Sequence, residues 1–366
     1  AGFTAQTFYT LRANLVLANG KTIELKCEPD PRITEEQQAA ALAKSVTGKH
    51  TTLQVTTEDK AHRAPLPYKL GDFQKAAEHH FGWSLDKALK SLQSAYEAGW
   101  GSYPRSDCRY LPSDHRSGAV GIAERVAREL QVPASLLSDL KPQNRVYDSS
   151  KVKVHYGIVP TGVTPGASAD PDAIKAWKLV SLHYLRTLMP DDQYQETVIV
   201  AELATDQAAP YATLPFKARG EARTGALNWD HLDLNAILPP PRQKKKKKAE
   251  ASTPLPVVAD GSPATCRDCS RAKGSTTPPK PYTEASLRDD MEQVAKYATD
   301  PKMQAILKET QGIGTAATQA AIVKTLIQRG FITVAKNGTL EATSFGIAII
   351  DAIPPQLADP VLTAAW

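Results

Sequence analysis

The stretch Gly101-Ser-Tyr-Pro-Arg-Ser-Asp-Cys-Arg-Tyr-Leu-Pro112 carries two tyrosines, two arginines and a carboxylate on one short, proline-containing segment. A tyrosine hydroxyl has a pKa of about 10, so it is a poor nucleophile at neutral pH unless nearby cations favour the phenolate. Arg105 and Arg109 supply such cations next to Tyr103, and guanidinium groups also bind phosphate in a bidentate manner. The segment therefore suits a tyrosine that attacks a phosphodiester and is held on it as an ester. Taken alone, a Tyr-Pro-Arg sequence is more often an ordinary surface turn.

Length and composition allow a protein of two or three domains, because 366 residues are enough for more than one hydrophobic core. The net charge of +5, from 44 basic and 39 acidic residues, permits a nucleic-acid partner without requiring one. No apolar run approaches the roughly 20 residues that span a bilayer, and the first residues lack the features of a secretory signal. With only four cysteines, we expect a cytoplasmic protein without a disulfide framework and without a membrane partner.

The first 62 residues are rich in strand signals. Apolar residues alternate on both sides of Asn19-Gly20, which predicts a β-hairpin over residues 8–27. A helix over residues 34–46, with Thr34 as its N-cap, and a strand over residues 51–57 follow. These strands need partners from elsewhere in the chain, so we expect residues 1–62 to be part of a larger strand-rich domain.

Helical periodicity follows the proline-rich stretch at residues 64–67. It predicts helices over residues 70–80, from Ser84 to Gly99 and over residues 119–130. Tyr103 comes four residues after the second helix ends, so a rigid element would hold it. Further along, His155 stands between Val154 and Tyr156, a pattern typical of a histidine in a strand.

A long helix over residues 172–190 and alternating strands in residues 197–204 and 211–220 come next. Residues 238–277 are predicted to be a loop rich in proline and lysine, whose run Lys244–Lys248 indicates a solvated, disordered segment that also attracts phosphate nonspecifically. Cys266 and Cys269 have the spacing of a zinc-binding pair, but structural zinc needs four ligands and no second pair is within reach. Free thiols are the preferred interpretation.

From residue 278 the pattern predicts a compact helical unit. Two helices precede Gly312, and a third begins after Thr315, its expected N-cap. Gly330 ends this helix, and the Asn337-Gly338 turn indicates a small hairpin. Helices followed by a hairpin are the order of a winged-helix-like domain.

The ten residues YPRSDCRYLP, at positions 103–112, resemble the active-site segment of type IA DNA topoisomerases, most closely the bacterial topoisomerase III branch. In that family the first tyrosine forms a 5′-phosphotyrosine link with single-stranded DNA, which implies that Tyr103 is the nucleophile. The resemblance also implies that Arg105 holds the scissile phosphate and that Arg109 contacts DNA. Asp107 would orient Arg105 or, equally well, cap the turn.

Two further segments carry the resemblance. The string VHYGIVPT, at 154–161, is similar to the family's HxAIxPT segment, which implies that His155 lies beside the tyrosine and that Thr161 contacts DNA; Gly157 stands where alanine is usual. The string GIGTAAT, at 312–318, is similar to the family's GxGTxATR segment at a helix start. Its implied DNA contacts are Thr315, Thr318 and Gln319, the last of which replaces the usual arginine with an uncharged hydrogen-bond donor.

The fold implied by the resemblance is an α+β multidomain architecture. Residues 1–62 and 162–277 would form a split strand-rich gate domain, which includes the loop at about 238–277. An inserted helical domain, residues 63–161, would carry the tyrosine, and residues 278–366 would form a truncated winged-helix-like DNA-binding domain.

Complete type IA enzymes begin with a Toprim domain whose acidic residues bind Mg²⁺, and residues 1–62 contain no such acidic cluster. We therefore expect the chain to be a piece of a larger topoisomerase that binds no metal itself, with Mg²⁺ on a Toprim-containing segment or chain. The implied reaction is transient cleavage of single-stranded DNA, strand passage and religation without ATP. Alone, the chain should bind single-stranded DNA weakly and relax no supercoils.

Two other interpretations remain open at this stage. The chain could be a non-catalytic single-stranded DNA-binding module derived from a topoisomerase. A tyrosine recombinase or relaxase is the other alternative, but these enzymes need several arginines and histidines, or a histidine triad, around the tyrosine. His79 and His80 occupy adjacent helical positions, which point apart.

Overall fold

The computed structural model describes residues 3–225, 227–239, 255–309, 312–359 and 362. The chain divides into two compact units. The sheet unit comprises residues 1–62, 192–226 and 246–280, and the helical unit comprises residues 63–191, 227–245 and 281–366. In the described parts of both units, no helix is long and apolar enough to cross a lipid bilayer.

The sheet unit begins with the predicted hairpin. Strands β1 (Thr7–Leu17) and β2 (Thr22–Cys27) pair antiparallel through a turn in which Gly20 has a φ of 78°. Alternate side chains of β1 are buried, as the period-two pattern requires. The hairpin prediction is confirmed.

Seven antiparallel strands make up the sheet. The others are β3 (His50–Thr52), β4 (Gln54–His62), β5 (Asp192–Ala204), β6 (Thr213–Arg223) and β7 (Pro263–Ser275), and the order is β3-β7-β1-β2-β6-β5-β4. Only the buried Leu53 separates β3 from β4, yet these strands lie at opposite ends of the order. The sheet therefore curls. Strand β1 pairs with β7 and β2 pairs with β6, both far along the chain. This confirms the expectation that the strands of residues 1–62 take partners from elsewhere in the chain.

Helix α1 (Glu36–Val46) packs its buried face, which includes Leu42 and Val46, into the core of the sheet unit. Its N-cap is Glu35, whose side chain makes no capping hydrogen bond, so the predicted cap at Thr34 is wrong. Burial of the apolar face fixes where this helix lies, and a capping bond is not needed for that.

Strand β7 corrects the predicted loop over residues 238–277. It pairs with β1 along the whole length of β1, and Ala264 and Cys266 are buried in the core. The composition of residues 263–275 is polar and basic because most of the outer face is exposed, which hid the strand in the sequence. Residues 244–248, the lysine run, lie outside the described residues.

The predicted start of the second gate segment, at residue 162, also differs from the structure. The chain enters the sheet unit again at Asp192, because helix α5 (Pro171–Leu188) belongs to the helical unit. Trp177 and Leu185 on α5 are buried in the same core as Phe73 and Leu92. An apolar helix belongs to the domain whose core buries it, and the sequence did not show which residues pack against α5.

Helices α2 (Leu70–Phe81), α3 (Leu85–Glu97) and α4 (Ala119–Glu129) surround α5. Gly82 ends α2 in a left-handed conformation, and the side chain of Ser84 accepts a hydrogen bond from the Lys87 amide at the start of α3, as predicted. These helices form the rigid support for the segment that follows α3.

The C-terminal part of the helical unit has the predicted order of helices and hairpin. Helices α6 (Glu284–Glu292), α7 (Pro301–Glu309) and α8 (Ala316–Gln328) precede the two-stranded hairpin of β8 (Ile332–Val334) and β9 (Leu340–Ala342). A further helix, α9 (Ser344–Ala352), follows.

A buried arginine fastens α6 to the start of α2. Arg288 is 1% exposed and forms ion pairs with Asp289 and Glu292, and its guanidinium group occupies the space where a side chain at Gly71 would begin. Lys69, at the N-cap of α2, pairs with Glu292 at 2.9 Å. A buried ion pair is stable only when its hydrogen-bonding groups are well matched. A side chain at position 71 would push the Arg288 guanidinium group out of this arrangement, so the ion pairs require glycine there.

We predict that Gly71→Ala lowers the free energy of unfolding by roughly 1–3 kcal/mol, because the added methyl group displaces a buried charge. Gly121→Ala is the matched control: it also lies within a helix, and nothing stands within 4 Å of its added Cβ. There, alanine should stabilise the protein by about 0.4–1 kcal/mol. Urea denaturation measures both, and equal effects of the two substitutions would contradict the assigned role of Gly71.

Acid should destabilise the helical unit through His183. This largely buried ring stacks on Tyr68, its Nε2 lies 2.8 Å from the Leu66 carbonyl oxygen, and desolvation lowers its pKa to about 4. The unfolded chain therefore binds a proton at a higher pH than the folded chain does, so the stability is complete above about pH 6.5 and falls as the pH approaches 4.

Between about pH 7 and pH 5, this one residue should remove roughly 2 kcal/mol from the free energy of unfolding. Denaturation at both pH values measures the change. His50→Gln, a substitution of an exposed histidine, should leave the loss in place, whereas His183→Gln should reduce it. A stability that is unchanged or increased at the lower pH would contradict the prediction.

Candidate active site around Tyr103

The segment that carries Tyr103 is fixed by hydrogen bonds to residues 157–161. The Ser102 amide donates to the Val159 carbonyl at 2.9 Å, and the Ser102 hydroxyl donates to the Gly157 carbonyl and accepts from the Val159 amide, both at 3.0 Å. Gly101 and Pro160 form a bridge beside them. Ser102 is buried, so these bonds are sheltered from water and hold the two segments in register.

Tyr103 lies between two aromatic side chains. Its ring centroid is 4.1 Å from that of His155 and 5.7 Å from that of Tyr96, the latter in an edge-to-face arrangement. The ring is half-buried, and its hydroxyl makes no hydrogen bond within the described residues. The phenol is thus fixed in position, while its oxygen remains available to a ligand.

His155 is exposed, and residues 151–161 form bends and isolated bridges, so the interpretation of His155 as a strand histidine is wrong. Gly157 explains part of this conformation. A Cβ at this position would lie 2.8 Å from Cβ of Pro67, closer than real contacts allow, and 3.3 Å from the carbonyl carbon of Arg109, which is tighter than most. Glycine therefore lets the His155 segment run close against the tyrosine segment.

The two arginines of the motif have different surroundings. Arg105 is exposed and has no hydrogen bond or ion pair within the described ranges. Arg109 donates to both carboxylate oxygens of Asp72, at 2.6 and 2.7 Å, and is therefore already neutralised. Of the two, Arg105 is the guanidinium that is open to an anionic ligand.

Asp107 neither pairs with Arg105 nor caps the turn in the described structure. The turn is capped by Ser106, whose hydroxyl oxygen accepts a hydrogen bond from the Cys108 amide at 3.1 Å. Partial desolvation raises the pKa of the Asp107 carboxyl above its usual range, and the nearby Lys69 opposes this shift. Neither of the two roles expected for Asp107 is therefore visible here.

The second predicted DNA-contact segment forms the start of α8. Thr315 and Thr318 make the expected reciprocal cap and are exposed. Gln319 is 1% exposed, and its amide nitrogen donates to the carbonyls of Ile313 and Gly314. The Gln319 side chain therefore points inward in this conformation and fixes the glycine loop, while its DNA contact stays a prediction. An uncharged amide tolerates burial that an arginine would resist.

Thr161 is exposed, and its hydroxyl donates to the Gly99 carbonyl at 2.6 Å. It therefore fastens the end of the His155 segment to the residue just after α3. Of the nine residues predicted from the motifs, Tyr103 and His155 have their rings in contact, and Arg105, Asp107 and Arg109 line one cavity with His155.

Three residues that matter here were not singled out from the sequence. Ser102, Lys69 and Arg288 carry no motif of their own, and only their contacts reveal them. No signal in the sequence connects Arg288 with Gly71, more than two hundred residues away.

The described residues were expected to hold no metal ion. Within the described residues, no group of three or more His, Cys, Asp or Glu side chains could hold a metal ion. Cys266 is buried and burial raises its pKa to about 11, so it is an inert core thiol and not a metal-binding thiolate. The residues present do not fit a magnesium or zinc site.

Comparisons with known proteins agree with the motifs. The sequence model of the DNA topoisomerase family matches residues 1–366. The chain is 30% identical over 385 aligned residues to DNA topoisomerase 3 of Salmonella typhimurium, covering 100% of this chain and 55% of that protein. It is 29% identical to DNA topoisomerase 3 of Vibrio cholerae, of which it covers 56%. The chain thus spans about half the length of these relatives.

The fold has a match among solved structures. Full-length topoisomerase I of Thermotoga maritima superposes with a TM-score of 0.64 at 18% identity, covering 98% of this chain and 53% of that one. This likeness concerns the fold alone. The match to the family along the entire sequence, which agrees with the resemblance of the tyrosine motif, shows that the chain belongs to the type IA DNA topoisomerases.

Proposed function

We propose that this chain is the gate and nucleophile portion of a type IA DNA topoisomerase, which cuts one DNA strand through Tyr103, passes another strand and reseals the break. The observation that carries the proposal is the contact of Tyr103 with His155 at 4.1 Å, beside an arginine that has no ionic partner among the described residues. These are the groups that transfer of a phosphodiester to a tyrosine requires.

In the proposed reaction, the Tyr103 oxygen attacks the phosphorus of a single strand. The bond from phosphorus to the 3′ oxygen breaks, leaving a 3′-hydroxyl and a 5′-phosphotyrosine ester. Arg105 binds the nonbridging oxygens, where negative charge builds up. His155 lies where it can exchange a proton with the tyrosine oxygen or the leaving oxygen.

Religation is the reverse attack of the 3′-hydroxyl on the phosphotyrosine. The ester conserves the energy of the broken bond, so no nucleotide triphosphate is consumed. Between the two steps the strand-rich domain would open to admit the second strand. This motion is part of the proposal, as is a single-stranded DNA substrate.

Magnesium enters only through the rest of the protein. Within the described residues, no group of three or more His, Cys, Asp or Glu side chains could hold this ion. We place Mg²⁺ on a Toprim-containing segment or chain that works together with this one, and therefore propose that the chain alone binds single-stranded DNA without relaxing supercoils. The cytoplasmic location expected from the sequence stays a prediction.

Tyr103→Phe should abolish covalent attachment to DNA. The chain is combined with the unmatched part of a DNA topoisomerase 3 relative and Mg²⁺, mixed with single-stranded DNA labelled at its 3′ end, and stopped with detergent. A 5′-phosphotyrosine retains the 3′-labelled product on the protein, whereas a 5′ label is released. Tyr96→Phe, which loses a neighbouring hydroxyl, should keep the adduct.

Two outcomes would contradict the proposal. An adduct formed equally by native protein and Tyr103→Phe would assign the nucleophile elsewhere. Native protein that binds both the added part and the DNA but forms no adduct would favour the non-catalytic binding module.

Arg105→Ala should slow adduct formation by roughly 10²–10³-fold, because it removes a charged donor from the developing negative charge. The rate of adduct formation by Arg105→Lys should lie between those of native protein and Arg105→Ala, because lysine keeps the charge and loses the bidentate geometry. Rapid-quench measurement of the adduct gives the rates. Arg128→Ala, an exposed arginine on α4, is the control; a loss for Arg128→Ala as large as that for Arg105→Ala would show a general charge effect instead.

A further inference from the structure

A cavity of about 540 Å³ opens beside the candidate active site. Arg105 and His155 line one part of it, and Lys69, Arg109, Lys151 and Lys153 line the rest. Its volume is that of a small-molecule site. The motifs assign no role to the two lysines that flank Val152.

Most of the cations that line this cavity are already paired. Lys69 pairs with Glu292 at 2.9 Å, Arg109 pairs with Asp72, and Lys151 pairs with Asp148 at 3.0 Å. These ion pairs hold the walls in place and leave little charge to attract a ligand.

Lys153 is different. It is exposed and, like Arg105, has neither a hydrogen bond nor an ion pair in the part of the chain that the structure describes. Asp107 is the one carboxylate among the described lining residues. Arg105 and Lys153 are thus two unpaired cations on the walls of one cavity, and each can bind one singly charged phosphodiester.

The cavity also has an apolar part. Val154, between Lys153 and His155, is 81% exposed, and Leu66 and the ring of Tyr110 line the same space. The ammonium of Lys151 lies 4.7 Å from the centroid of the Tyr110 ring, which fixes that ring in the wall. An exposed valine next to unpaired cations suits a ligand that has both an apolar face and a negative charge.

We infer that this cavity binds the nucleotide adjacent to the scissile phosphate, with its own phosphate held by Lys153 and its base packed against Val154. The inference rests on the proposed function and extends it, because it adds a second phosphate contact to the one made by Arg105. Single-stranded nucleic acid is commonly bound in this way, by a basic groove together with side chains on which the bases pack.

The test is the salt dependence of binding to a short oligothymidylate, measured with the whole chain by fluorescence anisotropy. Loss of one phosphate contact on a single strand lowers the slope of log Kd against log salt by about 0.7. The ratio of the Kd of Lys153→Gln to the Kd of native protein should therefore be about five-fold larger at 0.1 M salt than at 1 M salt. Lys44→Gln, an exposed lysine on α1, is the control and should leave the slope unchanged.

The apolar half of the inference is tested with Val154→Ser. This variant should weaken binding to oligothymidylate without changing the slope, and should match native protein on an abasic strand of equal length, which offers no base to pack. Acetylation of the chain by acetic anhydride gives an independent readout: bound oligothymidylate should protect Lys153 and leave Lys44 reactive.

The outcomes separate the two proposals. If native protein binds oligothymidylate but Lys153→Gln has the same slope and Lys153 is not protected, the cavity inference is overturned and the proposed function stands. A Val154→Ser deficit of equal size on the abasic strand would overturn the base contact. If native protein binds no single-stranded DNA at all, the proposed function itself fails.

Discussion

The hydrogen bonds of Ser102 are the contacts on which the site depends. One buried serine donates to and accepts from the backbone of residues 157 and 159, and its amide adds a third bond. Because Tyr103 is the next residue and His155 lies just before the bonded segment, these bonds set the separation of the two side chains. A buried hydrogen-bond network of this kind is stabilising only when all its members are satisfied, and here they are.

Small residues make this proximity possible. Gly157 allows the His155 segment to pass close to Pro67 and Arg109, and Gly71 leaves the space that the guanidinium of Arg288 fills. Both glycines act through the absence of a Cβ and not through an unusual backbone conformation. The tyrosine segment is therefore supported from two directions: by residues 157–161, and by the start of α2, whose Leu70 amide donates to the Ser106 carbonyl.

Local patterns in the sequence were enough to find the hairpin of β1 and β2, the caps at Ser84 and Thr315 and most of the helices. They failed where a tertiary contact decided the outcome. Strand β7 is mostly polar outside the core, and only its pairing with β1 identifies it. The motif resemblance predicted that His155 lies beside Tyr103, and the two rings are in contact. It could not show that Arg109 is neutralised by Asp72 or that Gln319 points inward.

The curl of the sheet has a mechanical consequence. Strands β3 and β4, at the two ends of the strand order, are joined covalently at Leu53, and no ladder of backbone hydrogen bonds links one end to the other in the described structure. A ring closed in this way has a seam. Its circumference can widen at that seam while the backbone hydrogen bonds of every strand ladder stay intact, although the bond from the Thr51 hydroxyl on β3 to the Glu202 carbonyl on β5 would break.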